Sequence, residues 1–134
     1  MKLTRVSGFF LIIILAVSCA SGPIDIPDNL SPAEMVQRAQ EASDRNRYAV
    51  SLQYYDAILE RFPDETAFVC AAEYEIAFIN YKQKKYDISK QKFNSLLERY
   101  NTPDEELLPP QFKILSLMIL ASIEEIETAN KPKN

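Results

Sequence analysis

Apolar side chains return along residues 32–129 in blocks, each ended by a turn or a proline, and each block is long enough for a helix. Ser31-Pro32-Ala33-Glu34 opens the first. Serine is a good N-cap, proline suits the first helical position, and glutamate three residues on completes a capping box. The pattern predicts helices from Pro32 to about Asp44, Arg47 to Phe62, Glu65 to Lys84, Tyr86 to Tyr100 and Pro110 to Ala129. Pro63, Pro103 and Pro109-Pro110 supply the breaks. The last block is apolar on every side of its first half, through Ile114, Leu115, Leu117, Met118, Ile119 and Leu120. Two readings fit it, a deeply packed end cap or a partner-binding face. The expectation is packing.

The first 18 residues have a different pattern. Lys2 and Arg5 precede an apolar run from Gly8 to Val17. As a helix that run is about 15 Å long, and a membrane span needs about 20 residues. It fits the hydrophobic region of a signal peptide. Residues 20–31 contain Pro23 and Pro27 and read as an extended tether with a reach of about 40 Å. The expected organisation is a signal peptide over 1–18, an anchor and linker over 19–31, and a helical domain over 32–130.

Composition narrows the functions. Gly8 and Gly22 are the only glycines, which argues against an all-β fold with its glycine turns. There is no histidine, so histidine triads, histidine zinc sites and histidine bases are excluded. There is no glycine-rich phosphate loop or nucleophile elbow. Asp104-Glu105-Glu106 reads as the acidic start of a helix and Glu124-Glu125 as a solvated face, because neither has calcium-loop spacing. The expectation is no catalytic residue, no metal, no cofactor and no enzyme activity. A net charge of −4 with no basic stripe disfavours nucleic acid and gives no attraction to anionic lipid. Cys70, in Phe68-Val69-Cys70-Ala71-Ala72, reads as a small buried hydrophobe. A Cys19–Cys70 disulfide is conceivable only if Cys19 carries no lipid.

The predicted helices form two similar pairs. Residues 47–62 align with 85–100, matching Tyr48/Tyr86, Ser51/Ser89, Gln53/Gln91, Tyr55/Phe93, Leu59/Leu97 and Glu60-Arg61/Glu98-Arg99. This order of aromatic, small, aromatic and apolar residues resembles the tetratricopeptide (TPR) repeat. The small position of the first helix falls on Ala39. Serine replaces the family's usual alanine at Ser51 and Ser89, and the spacing of 38 residues, Tyr48 to Tyr86, exceeds the family's 34. The resemblance implies an all-α fold of antiparallel helix pairs, stacked as a short solenoid with repeats at about 32–63 and 65–101. Residues 110–129 then form a capping helix. A generic antiparallel bundle is the alternative. In TPR proteins the first helix of each pair lines a groove. Carried over by position, that gives Val36, Gln40 and Asp44 in one repeat and Tyr74, Phe78, Tyr81 and Lys82 in the next. These are the candidate partner-binding residues, unless the last helix fills the groove.

Ala16-Val17-Ser18-Cys19 resembles the lipobox of bacterial lipoproteins. Ala16 stands where leucine is usual, a looseness similar to spirochaetal lipoboxes. The resemblance implies cleavage before Cys19 and lipidation of its thiol, palmitate included. A cleaved signal with a stray cysteine is the plain alternative. Ala20, by similarity to enteric sorting, implies the outer rather than the inner membrane; the periplasmic face is expected rather than the surface. Leu-Glu-Arg-Phe-Pro at 59–63 is similar to the outer-membrane assembly lipoproteins of the BamD/YfiO type, which are longer. The function implied is a lipid-anchored scaffold that binds an envelope protein or peptide, in the setting of outer-membrane protein assembly. The alternative is a periplasmic ligand-binding lipoprotein associated with a transporter. An empty aromatic cavity would favour that alternative.

Overall fold

The computed structural model describes residues 22–130. Cys19 and the signal-like segment lie outside the described residues. Five α-helices follow one another: α1 (Pro32–Asp44), α2 (Tyr48–Arg61), α3 (Thr66–Lys82), α4 (Tyr86–Arg99) and α5 (Pro110–Ala129), with a 3-10 turn at Glu105–Leu107 before the last. No strand occurs among the described residues. Each helix packs on the next in order, and α3 also touches α1 and α5. The fold is all-α, with helix pairs stacked along one direction as in a helical-repeat solenoid.

Local chemistry sets the ends. The Ser31 backbone N–H donates to the Glu34 carboxylate at 2.9 Å, and the Glu34 N–H donates back to Ser31 Oγ at 3.3 Å. This reciprocal pair satisfies two of the free donors at the start of α1. The turns that close the two pairs repeat each other. Asn46 and Lys84 both adopt positive φ, 57° and 61°. In each turn the next residue's N–H reaches back to a helix carbonyl, Arg47 to Ala42 at 2.8 Å and Lys85 to Asn80 at 2.9 Å. That is the left-handed cap that reverses a chain after a helix. Asparagine tolerates this conformation and lysine does so at a cost.

Two apolar clusters share α3. The first joins α1, α2 and α3 through Met35, Ala39, Tyr55, Ile58, Ile76 and Ile79. The second joins α3 and α4 through Cys70, Tyr74, Ala77, Phe93, Leu96 and Tyr100, with Phe112, Ile119 and Leu120 of α5 packed against it. Small residues allow the close approach of each pair. Ser51 and Ser89 are fully buried, as are Ala39 and Ala77. The Ser89 hydroxyl donates to the Ala77 carbonyl at 2.9 Å. Ser51 Oγ has no such partner.

Two expectations change. The stretch over 20–31 does not run free over its described part. The Ile24 N–H donates to Gln53 Oε1 at 2.8 Å, Arg61 donates to the carbonyls of Ile26 and Pro27 at 3.1 Å each, and Leu30 is buried. Prolines made the segment look extended, but its isoleucines and leucine have an apolar surface on α2 to cover. The second change concerns α5. Only Ser116 and Ile123 of that helix are buried, while Ile114, Leu117 and Met118 are 58%, 51% and 59% exposed. The helix docks by one side, and its other apolar side has no cover among the described residues.

Candidate partner-binding surfaces

Two separate surfaces stand out, an aromatic ladder on α3, the first helix of the second pair, and the outer side of α5. The ladder begins where Tyr74 meets Phe112 of α5, ring centres 5.5 Å apart. It continues from Tyr74 to Phe78 at 5.9 Å, Phe78 to Tyr81 at 5.9 Å, and Tyr81 to Tyr86 of α4 at 6.0 Å. Residues 74, 78 and 81 are spaced by four and three, so one face of α3 carries all three. Tyr74 also packs on Phe93 and is 7% exposed. Among the candidate residues it is therefore a core side chain, closed over by Phe112. Phe78 and Tyr81 are half-buried, and Tyr86 likewise. The ladder is filled at one end and open at the other.

Lys82 crosses from that open end to the first pair. Its Nζ donates to Ser43 Oγ at 2.7 Å and lies 5.0 Å from the Tyr48 ring centre and 5.2 Å from that of Phe78. A cation held over two rings is attracted by their electron-rich faces. The contact joins α1 to α3 and brings the neighbourhood of Asp44 to that of Lys82. Gln40, one turn before Asp44, is exposed on the same helix, as are Asp44 and Lys82 themselves. Val36 is half-buried and packs against the first apolar cluster.

Ionisable groups lie under this surface. The Glu75 carboxyl is pushed up by burial and by the nearby charge of Asp44, while Lys82 pulls it down. Tyr55 lies deeper, fully buried, with its hydroxyl unpartnered and its ionisation pushed well above the ordinary phenol range by burial. Neither arrangement offers a nucleophile and base within reach of each other. No group of three acidic, cysteine or histidine side chains fit for a metal occurs among the described residues. Cys70 is a buried free thiol whose ionisation is pushed up by burial. That is an unreactive environment.

Sequence reasoning missed Ser43, Tyr48, Glu75 and Tyr86 as parts of this surface. A signal existed for two of them, because Tyr48 and Tyr86 occupy matching repeat positions. The Lys82 bridge between repeats had none.

On the second surface, Ile114, Leu117 and Met118 are joined by Leu115 at 38% and by Leu107, in the turn before α5, at 80% exposed. Lys90–Glu127 at 2.6 Å and Lys113–Glu105 at 3.1 Å pin the helix from its inner edge and its start. No described helix is long and apolar enough to cross a membrane.

Comparison with known proteins gives little to set beside this geometry. No family model matches the chain, and no solved structure matches it. An uncharacterised protein of Treponema pallidum (strain Nichols) is 34% identical over 118 residues, which cover 84% of this chain and 47% of that protein. The chain thus spans about half the length of the relative it matches.

Proposed function

We propose that the chain is a lipid-anchored TPR-like scaffold of the bacterial cell envelope that holds a protein partner against the open end of its aromatic ladder. One observation carries the reading. Lys82 ties α3 to α1 at Ser43, next to the exposed Asp44, and lies over the Phe78 ring, while Gln40 is exposed one turn earlier on α1. The partner that fits is an extended peptide segment. An aromatic or aliphatic side chain of it stacks on Phe78 and Tyr81, and its backbone takes hydrogen bonds from Gln40 and Lys82 and gives them to Asp44. The matching turns at Asn46 and Lys84 and the paired small residues support the repeat reading. The lipobox-like residues before Cys19 support the anchor. Phe112 of α5, packed on Tyr74, fills one end of the ladder, which favours the scaffold over the ligand-binding alternative.

Outer-membrane protein assembly is the setting we attach to the scaffold, on the strength of the Leu-Glu-Arg-Phe-Pro similarity. A photo-reactive amino acid at Gln40 in intact cells tests the contact. The expected result is one stoichiometric envelope protein, identified by mass spectrometry and lost when Tyr81→Ala is combined with the probe. Recovery of no partner sinks the scaffold. Metabolic labelling with a palmitate analogue tests the anchor. Label and membrane pelleting are both expected to disappear in Cys19→Ser.

A further inference from the structure

The outer side of α5 is matched to itself. Its exposed centre line runs Gln111, Ile114, Met118, Ala121 and Glu125, spaced by three and four residues, with Leu115 and Ser122 alongside. Counted outward from Met118, large side chains lie on one side and small ones on the other. Ile114 and Leu115 are answered by Ser122 and Ala121, and Gln111 by Glu125, at equal distances. A second α5 laid antiparallel, with a two-fold axis through Met118, therefore sets large against small twice and places each Gln111 amide opposite a Glu125 carboxylate. This is the self-complementarity that a two-fold interface requires.

The charges of α5 make the same choice of partner and direction. Its first turn has no acidic residue and its N-terminus no side-chain cap, while its last turn has no basic residue. Glu124 and Glu125 instead lie towards the C-terminal end, where the helix dipole disfavours them. An antiparallel copy brings Glu125 to the uncapped N-terminus of the other α5, where the dipole and Lys113 favour a negative charge and Glu105, already paired with Lys113 at 3.1 Å, opposes it. The exposed apolar stripe is on the order of 400 Å², within the range of the largest apolar patch on a typical monomer. Two such stripes bury about 800 Å² together, the size of a weak, reversible contact, so the pairing expected is transient.

We propose that α5 is a homodimerisation helix, packing antiparallel on α5 of a second copy about Met118. The surface is separate from the ladder's open end, so a dimer presents two partner-binding surfaces at once. The dimer also explains why a helix with so much exposed apolar surface retains it: the copy covers it.

The test uses the full chain in cells, with Met118→Cys, oxidation and a non-reducing gel. A cysteine on the two-fold axis meets its own copy. The expected result is a band at twice the chain mass, at least tenfold stronger than for Lys84→Cys, which sits on an exposed turn and carries the same Cys19 and Cys70. Adding Ile114→Glu is expected to abolish the band, and so is adding Glu125→Lys, which turns attraction at the partner's N-terminus into repulsion. Helical content measured on the purified variants checks that they fold. No excess over the Lys84→Cys control overturns the proposal. So does a band that survives both added substitutions, or a crosslink from the introduced thiol to a different protein. That last result leaves the ladder reading intact, and the Gln40 probe reports on the ladder independently.

Discussion

Tyr55→Phe removes a single oxygen atom from the centre of the first helix pair, and it should stabilise the protein. Tyr55 is 0% exposed and its hydroxyl has no hydrogen-bond partner. The matching residue of the next pair, Phe93, is also 0% exposed and fills its site with a plain phenyl ring. A buried hydroxyl without a partner costs about 1–3 kcal/mol relative to water. Removing it forfeits the dispersion contacts of one atom, roughly 0.5 kcal/mol, and leaves a space too small for water. The net gain is about 1 kcal/mol, on the order of 5 °C in Tm for a domain of this size. Thermal melts and urea titrations followed by circular dichroism measure it directly. A Tm at or below that of the unsubstituted chain refutes the reasoning, because it would mean that the hydroxyl has a partner worth keeping.

The matching serines should respond in opposite directions. Ser89→Ala loses the bond to the Ala77 carbonyl and is expected to cost about 1 kcal/mol in urea unfolding, while Ser51→Ala loses none and is expected to be neutral or mildly stabilising. Lys84→Gly relieves a left-handed backbone at φ 61° and should raise the urea midpoint, by about 0.5–1 kcal/mol in stability. Glu75 has a carboxyl pushed up by burial, so its neutral form is the one the fold prefers. That contribution is full below the ordinary glutamate range and is lost as pH rises through the raised value. Glu75→Gln should therefore raise Tm at neutral pH, with the gain shrinking in acid. An equal gain at both pH values would assign the effect to something other than ionisation.

Helix positions were legible because local signals agree with the fold. Pro32, Pro63 and Pro110 bracket helices in sequence and structure alike, and the predicted ends lie within two residues of those observed. The repeat was legible in Tyr48/Tyr86 and Ser51/Ser89, since matching positions have the same burial in each pair, the tyrosines half-buried and the serines fully buried. What failed depended on a neighbour. The apolar density of α5 says that it needs cover, but the helices available to it, α3 and α4, offer only one side. The segment over 22–31 was misread because proline reports backbone conformation and not what the side chains beside it bury. Of the candidate surface, repeat position names Gln40, Asp44, Phe78, Tyr81 and Lys82, and the structure leaves each at least partly exposed. Tyr74 was lost to the core because Phe112, a helix away, closes over it.

The hold of Gln53 and Arg61 on residues 22–27 has a consequence for the proposed lipid anchor. The Gln53 side chain also donates to the Gly22 carbonyl at 3.3 Å, so on the proposed anchor the first held residue lies three positions after Cys19, about 10 Å of chain at full stretch. A leash that short denies the module free tumbling above the bilayer. If Cys19 carries the proposed lipid, such a leash would turn the α2 side towards the headgroups and make orientation, rather than distance, the property that the anchor controls. Any partner must then approach within a narrow layer and from a limited set of directions.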